Sequence, residues 1–288
     1  MFLKGKADYP PSFRRPQITS SLITDHTQVS TIITLTSDWG NQDFFAGMVK
    51  GMLYTHLPDA HIVDITHNIT PFDTVKAAFV VKQACTQFPK GTIHIIDVDS
   101  VETESHHFVI VEYKQQWYIC TDNGLPALVF GNEWTSITRL DSSGLGERKT
   151  FVAYDLFCKV AILLASDVPA SELGPAQTSL VPGAFIGDMV MQNEITTSIQ
   201  YIDAYGNAYL NLTYKQFKEV CNGRKFKLQI KEHTITKLSE CYESVGRQHP
   251  IILTVSATGF LQISTVRYSA EQLIGFRVME NIKIQFFD

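Results

Sequence analysis

The chain lacks most of the short motifs that announce a chemistry. It contains no GxGxxG, no Walker loop, no HExxH and no GxSxG. Dinucleotide, nucleoside triphosphate, zinc-peptidase and serine-hydrolase chemistries therefore lack their usual support. Cysteine is sparse. Cys85, Cys120, Cys158, Cys221 and Cys241 form no CxxC pair and are widely spaced. That suits reduced thiols in the cytoplasm better than a disulfide framework or a zinc site. No apolar run approaches the roughly 20 residues that span a bilayer, which excludes a membrane-spanning segment. A basic excess is missing too: the formal net charge is −5 over 288 residues, which argues against a dedicated nucleic-acid binder. Internal repeats and low-complexity stretches are absent.

Residues 1–30 carry Pro10, Pro11, Arg14, Arg15 and Pro16 but no continuous apolar stretch. They read as a loose N-terminal leader, not a signal peptide. The remainder is ordinary globular material, 44% hydrophobic and 18% charged, and is long enough for two domains.

The stretch Thr31–Asp43 organises the first of these. Five of its first seven residues are β-branched, which suits a buried strand. It breaks at Ser37-Asp38-Trp39-Gly40, before a helical pattern that starts near Phe44. In open α/β sheets, ligands sit outside the carboxyl ends of the strands. Asp38 is thus placed to accept hydrogen bonds from a ribose diol or an amine; alternatively, Asp38 or Asp43 only caps the helix. Along that helix Phe45, Met48, Val49, Met52 and Leu53 form an apolar face, and Gly47 and Gly51 predict close packing against the sheet. His61–Thr66 reads as a second strand, followed by a loop from His67 to Asp73. A helix capped by Asp73 follows, with Ala77, Val80, Val81, Ala84, Cys85 and Phe88 on one face. Thr92–Val98 is a third strand with Asp99 at its end. This β-α-β-α-β rhythm predicts parallel strands with right-handed crossovers. It gathers Asp38, the His67 loop and Asp99 along one edge.

Phe108–Tyr113 and Gln116–Thr121 predict a hairpin, Leu125–Phe130 a short helix, Thr135–Leu140 a strand and Leu156–Ala165 an apolar helix. Glycine–proline pairs near residues 174–183 mark the domain boundary. Beyond it, short strands alternate with turn signals over Ile195–Asp203, Tyr209–Leu212, Lys225–Ile230, Ile251–Val255, Phe260–Val266 and Ile282–Phe287. Short helices fall near Tyr214–Val220 and Ala270–Ile274. This half predicts a small all-β barrel. The expected fold class is α/β: a doubly wound, mostly parallel N-terminal sheet over residues 31–183, with a smaller β-barrel domain over 184–288. His106-His107, with Glu102 and Glu104 nearby, is a conceivable metal site, but adjacent histidines in a strand point to opposite faces, and no metal is expected.

Several motifs in order resemble one family. Ser-Asp-Trp-Gly at Ser37–Gly40, Ile-Val-Asp-Ile-Thr-His-Asn-Ile-Thr-Pro-Phe-Asp at Ile62–Asp73 and Phe-Pro-Lys-Gly-Thr-Ile-His at Phe88–His94 are three of them. Asp122-Asn123-Gly124, Asp203–Asn207 with Asn211, Ser256–Ser264 and Tyr268–Gly275 follow. Over about Ile32 to Ile284 the sequence resembles the S-adenosyl-L-methionine (SAM) hydroxide adenosyltransferases, or SAM hydrolases, and the related fluorinase and chlorinase.

The resemblance implies a homotrimer with the SAM site between one subunit's N-terminal domain and the next subunit's barrel. It implies that Asp38, beside Trp39, holds the ribose hydroxyls. Asp203 and Asn207 would contact polar groups of the methionine or adenosine, Tyr209 would stack near the adenine, and Ala257 and Thr258 would line the base pocket. SAM would be the substrate, with no further cofactor. Water attacks C5′, methionine leaves and adenosine forms. The family's catalytic Asp matches Asp99. Its Arg falls on His106 and its His on Val152, and the glycine-rich loop between Asp and Arg is the acidic Ser100–Ser105 here. The sequence therefore predicts a SAM hydrolase with an altered triad, Asp99 the residual catalytic acid and His106 its partner. The alternative is a non-catalytic SAM- or adenosine-binding protein of the same fold.

Overall fold

The computed structural model describes residues 30–145, 150–183, 189–240, 242 and 251–287. The leader expected over residues 1–30 lies, but for Ser30, outside these described residues.

Strand β1 (Ile32–Ser37) is buried along nearly its whole length, as its β-branched run requires. Helix α1 (Phe45–His56) follows, then β2 (His61–Thr66), α2 (Thr74–Ala84) and β3 (Ile93–Asp97). β1 pairs in parallel with β2 and with β3, as the rhythm predicts. Next come β4 (Phe108–Tyr113), β5 (Gln116–Thr121), α3 (Leu125–Phe130), β6 (Ser136–Arg139) and α4 (Cys158–Ala165). β4 and β5 form the expected antiparallel hairpin, β5 lies parallel to β3, and β6 pairs antiparallel with β4. The sheet is therefore mixed, in the order β2-β1-β3-β5-β4-β6.

Apolar side chains from α1 and α4 pack on the sheet with Ile33, Leu35, Ile95 and Phe108. α2 and α3 pack with Ile96, Val109, Val111 and Tyr118 in a second cluster. Asp73 caps α2, accepting from the Lys76 amide at 2.9 Å. Two expectations for α1 fail. Its N-cap is Phe44 with no side-chain cap, so neither Asp38 nor Asp43 caps it. Gly47 and Gly51 are exposed, and a Cβ on either would meet nothing, so they do not serve close packing. The helix buries Val49 and Leu53 instead.

The second half runs β7 (Met189–Met191), β8 (Glu194–Ile202), β9 (Ala208–Thr213), α5 (Tyr214–Cys221), β10 (Lys225–Ile230), β11 (His233–Ile235), β12 (Ile251–Val255), β13 (Phe260–Thr265), α6 (Ala270–Ile274) and β14 (Asn281–Phe287). Its antiparallel sheet has the order β11-β10-β14-β8-β9-β13-β12, with β7 added on β8. A bridge from Leu238 to Leu253 brings the two ends of that path together, so the sheet is nearly closed into a barrel. β10 and β14 alternate strictly, with Phe226, Leu228, Ile282 and Ile284 inside and lysines outside. Alternation of this kind suits a sheet with one wet face. β7 and β11 carry no signal strong enough for the sequence to show; the three residues of β7 are all exposed.

The barrel meets the mixed sheet through α2. Phe79 stacks on Tyr201 with ring centroids 4.8 Å apart, and its edge meets Tyr209 at 5.5 Å and Phe260 at 6.0 Å. Asp122 ties down the connecting segment, accepting from Gln177 Nε2 at 2.7 Å and from the Val181 amide at 2.9 Å.

Candidate functional site

The carboxyl ends of β1, β2 and β3 meet at Ser37–Gly40, and the loop after β2 folds back over them. The Gly40 amide donates to the His67 carbonyl at 2.7 Å, and the Ile69 amide to the Ser37 carbonyl at 3.3 Å. Gly40 has φ +76°, a conformation that glycine adopts without a Cβ penalty. Asp38 Oδ2 accepts from the Phe72 amide at 3.0 Å. Phe72 itself sits at φ +67° with a largely exposed ring. A bulky residue in the left-handed region stores strain of the sort found at ligand clamps. Among the described residues, Asp38 Oδ1 accepts from no protein group.

Beneath Asp38 lies a carboxylate the sequence reading passed over. Asp97, the last residue of β3, is buried and accepts from Trp39 Nε1 at 2.7 Å. Burial pushes its pKa up to about 6; the Ser100 and Trp39 side chains oppose that rise, and the nearby Asp38 charge adds to it. The signal was present as an acid inside an otherwise apolar buried strand. Trp39 is held on its other sides as well. It stacks on His67 at 5.3 Å, nearly parallel, and meets the edge of Phe151 at 5.1 Å. Phe151 in turn meets Phe45 at 4.9 Å. An aromatic wall therefore runs from the buried His67 ring towards the start of α1.

Asp99 lies two residues beyond Asp97, at φ +50°. Its carbonyl accepts from Asn123 Nδ2 at 3.1 Å, which anchors the start of the Ser100–Ser105 loop. That loop closes on itself: the Thr103 amide donates to the His106 carbonyl at 2.9 Å, and the His106 amide to Thr103 Oγ1 at 3.0 Å. Among the described residues, no hydrogen bond or ion pair joins the Asp99 and His106 side chains. His107 Nδ1 lies 3.9 Å from Glu102 Oε1. Among the described residues, no group of three or more His, Cys, Asp or Glu side chains could hold a metal ion. Val152 packs against the apolar cluster around α1 and α4.

On the barrel, Asp203 closes the turn between β8 and β9. It accepts from the Tyr205 and Asn207 amides and from Asn207 Nδ2, each at 2.9 Å, and from the Tyr209 hydroxyl at 3.4 Å. Asp203, Asn207 and Tyr209 thus form one cluster. Burial and the Asp203 charge push the Tyr209 hydroxyl up to about 12. Ala257 and Thr258 are exposed at the β12–β13 turn, where Thr258 Oγ1 lies 3.2 Å from Ser256 Oγ. The structure therefore groups the expected residues in two places, Asp38 with Trp39 at the sheet edge and Asp203, Asn207 and Tyr209 on the barrel.

Comparisons with known proteins bear on both halves. The family model described as the SAM hydroxide adenosyltransferase N-terminal domain matches residues 33–174, and that of the C-terminal domain matches residues 197–283. An (R)-S-adenosyl-L-methionine hydrolase of Methanocaldococcus jannaschii is 26% identical over 266 residues, covering 88% of this chain and 95% of that protein. One of Thermus thermophilus is 26% identical over 263 residues, covering 84% and 94%. A fluorinase of an Actinoplanes species is 24% identical over 172 residues, covering 50% and 58%. An uncharacterised conserved protein of Thermotoga maritima has the same fold, with a TM-score of 0.80 at 22% identity, covering 88% of this chain and all of that one. Both halves of the molecule, in order and nearly entire, show that the chain belongs to the SAM hydroxide adenosyltransferase family.

Proposed function

We propose that this protein hydrolyses SAM to adenosine and L-methionine. Water attacks C5′, the C5′–S bond breaks with its electron pair leaving on sulfur, and the water's proton passes to a protein base. The sulfonium is an activated leaving group, so the protein's task is to hold the reactants in line and keep bulk water out. The observation that carries this reading is Asp38, oriented by the Phe72 amide at a sheet's carboxyl edge with one oxygen uncommitted. A carboxylate so fixed suits the vicinal hydroxyls of a ribose, through charge-assisted hydrogen bonds. The negative charge of Asp38 and the faces of the aromatic wall suit a sulfonium.

In this reading Asp99, the residual acidic residue of the triad, orients His106, and His106 is the base that takes the attacking water's proton. Asp203, Asn207, Tyr209, Ala257 and Thr258 complete the site from the barrel of a second copy in a homotrimer. The domain boundary falls between residues 183 and 184, and the protein acts in the cytoplasm.

A second reading has its own support. Val152 stands where the family has a histidine, and it packs among apolar side chains. Valine neither donates, accepts nor holds a proton. This favours a protein that binds SAM or adenosine without turning it over. The deciding experiment incubates purified protein with SAM and follows adenosine and methionine by chromatography, beside calorimetric titration of each ligand. Adenosine formed above the uncatalysed rate and lost in Asp99→Ala supports hydrolysis. Binding without turnover supports the second reading. Neither binding nor turnover overturns both.

A further inference from the structure

His67 is buried, and named neighbours face both ring nitrogens and one ring face. Nδ1 lies 2.7 Å from Ser37 Oγ. Nε2 lies 3.2 Å from Asp64 Oδ1, close enough for an ion-pair contact though poorly aligned as a hydrogen bond. One ring face is covered by the Trp39 indole. Its own carbonyl accepts from the Gly40 amide. Ser37, Trp39 and Gly40 surround Asp38 in the chain, so three of these four contacts end on the turn that carries that acid.

A ring nitrogen facing a carboxylate at 3.2 Å must carry the proton, since two lone pairs would repel. Nε2–H therefore points towards Asp64, and Nδ1 accepts the Ser37 hydroxyl proton. Asp64 is itself fixed by Lys50 Nζ of α1 at 2.5 Å. Burial works against ionisation of Asp64, but Lys50 and His67 outweigh it and hold the carboxyl below its usual range. The line Lys50–Asp64–His67–Ser37 thus joins α1, β2 and β1 and ends one residue from Asp38.

We propose that His67 is a positioning residue: it locks the Ser37–Gly40 turn in the one conformation that presents Asp38 to a ribose. With Nδ1 hydrogen-bonded to Ser37, Nε2 turned to Asp64 and one face covered by Trp39, the ring is not placed to touch substrate, so it acts through Asp38. A buried histidine that merely fills the core would not need a hydrogen bond to one strand and a carboxylate facing it from another. The inference deepens the proposed function and rests on it for the identity of the ligand, but its structural half stands alone.

The test has two arms on the full chain. Nitrogen NMR of histidine-labelled protein reads the tautomer directly; Nε2 protonated with Nδ1 bare is expected, and a protonated Nδ1 overturns the proposal. The second arm compares His67→Leu, His67→Asn and Ser37→Ala by adenosine affinity and by kcat and KM for SAM. Removing a buried acceptor typically costs enough to weaken binding about tenfold. His67→Leu is expected to weaken adenosine binding about tenfold and to raise KM about tenfold, with kcat nearly unchanged, because ribose contacts serve ground and transition states alike. His67→Asn recovers most of the loss, since its amide oxygen stands in for Nδ1 as acceptor. In an Asp38→Asn background the His67→Leu effect vanishes. An unchanged affinity, a loss confined to kcat, or full additivity with Asp38→Asn overturns the proposal. If His67→Leu does not fold, Ser37→Ala and His67→Asn decide. If the wild-type protein binds neither SAM nor adenosine, the functional reading fails, and the tautomer alone decides the positioning role.

Discussion

The Trp39 indole donates its Nε1–H to the buried carboxylate of Asp97 at 2.7 Å. It joins side chains of β3 and the turn after β1, and it fixes where the aromatic wall stands. Trp39→Phe keeps the ring contacts with His67 and Phe151 but removes the indole donor from the buried Asp97 carboxyl. Loss of about 1–3 kcal/mol is expected for a buried partner left unsatisfied. Urea unfolding of the variant measures it, and an unchanged midpoint would show that the bond contributes nothing.

Asp97 and His94 titrate in opposite senses. Asp97 rises from 3.8 to about 6 on folding, because of burial. Between those values the native state holds a proton that the unfolded chain has released, so stability falls as pH rises. Burial pulls His94 down from 6.5 to about 3, in a pocket where its Nδ1 meets Thr34 Oγ1 at 2.7 Å and its ring stacks on Tyr118 at 4.4 Å. Here the unfolded chain holds the extra proton, so stability is lost as pH falls through that window. Each slope is about 1.4 kcal/mol per pH unit, and from about pH 4 to 6 they cancel. Asp97→Asn removes one of them. Its stability, followed by urea unfolding against pH, is expected to decline steadily below about pH 6.5 where the wild type stays level.

Gly206 closes the Asp203 turn at φ +77°, and a Cβ there would lie 2.0 Å from Ser269 Oγ. Gly206→Ala therefore meets both backbone strain and a clash, with an expected loss of about 1–3 kcal/mol. A thermal melt reads it. Displacement of Asp203 in the same variant would show as weaker binding of SAM in calorimetry.

Phe79 is the joint between α2 and the barrel. Phe79→Ala is expected to lose about 3–5 kcal/mol, as for a buried ring removed from a packed site. More tellingly, the unfolding transition should split in two as the mixed sheet and the barrel uncouple. A single sharp transition by both circular dichroism and tryptophan fluorescence would refute that coupling role.

Val152→His places a histidine where the sequence resemblance aligns the family's own. In the hydrolase reading it raises the rate of adenosine formation from SAM while Asp99→Ala abolishes it; chromatography of the products checks both. A Val152→His protein that binds SAM and remains inert would favour the non-catalytic reading.

The architecture was legible because it rests on local periodicity. The alternation of β10 and β14, the β-branched run of β1 and the Asp73 cap of α2 each write their geometry into adjacent residues. The candidate site was legible only in part. Ser37–Gly40 and Asp203–Asn207 stand out as motifs at turns, and both turns form. Asp97 did not stand out, because its role depends on Trp39, 58 residues earlier in the chain. The expected helix cap by Asp38 or Asp43 failed for a related reason. Asp38 found the Phe72 amide, 34 residues on, a more distant partner in sequence than the first turn of α1.

By itself, then, the sequence determined the order of the longer strands and helices, the change from an α/β half to a barrel, and the motifs that place the chain in its family. Hydrophobic period and turn chemistry act over a few residues, so the order of residues is enough to express them. Only the tertiary structure decided that Asp97 is the buried acid under Asp38, that among the described residues no hydrogen bond or ion pair joins the Asp99 and His106 side chains, and that Asp64, His67 and Ser37 line up behind the turn. Those relations depend on sheet register and loop return, which bring residues from different strands and loops into contact and leave neighbours in the chain apart.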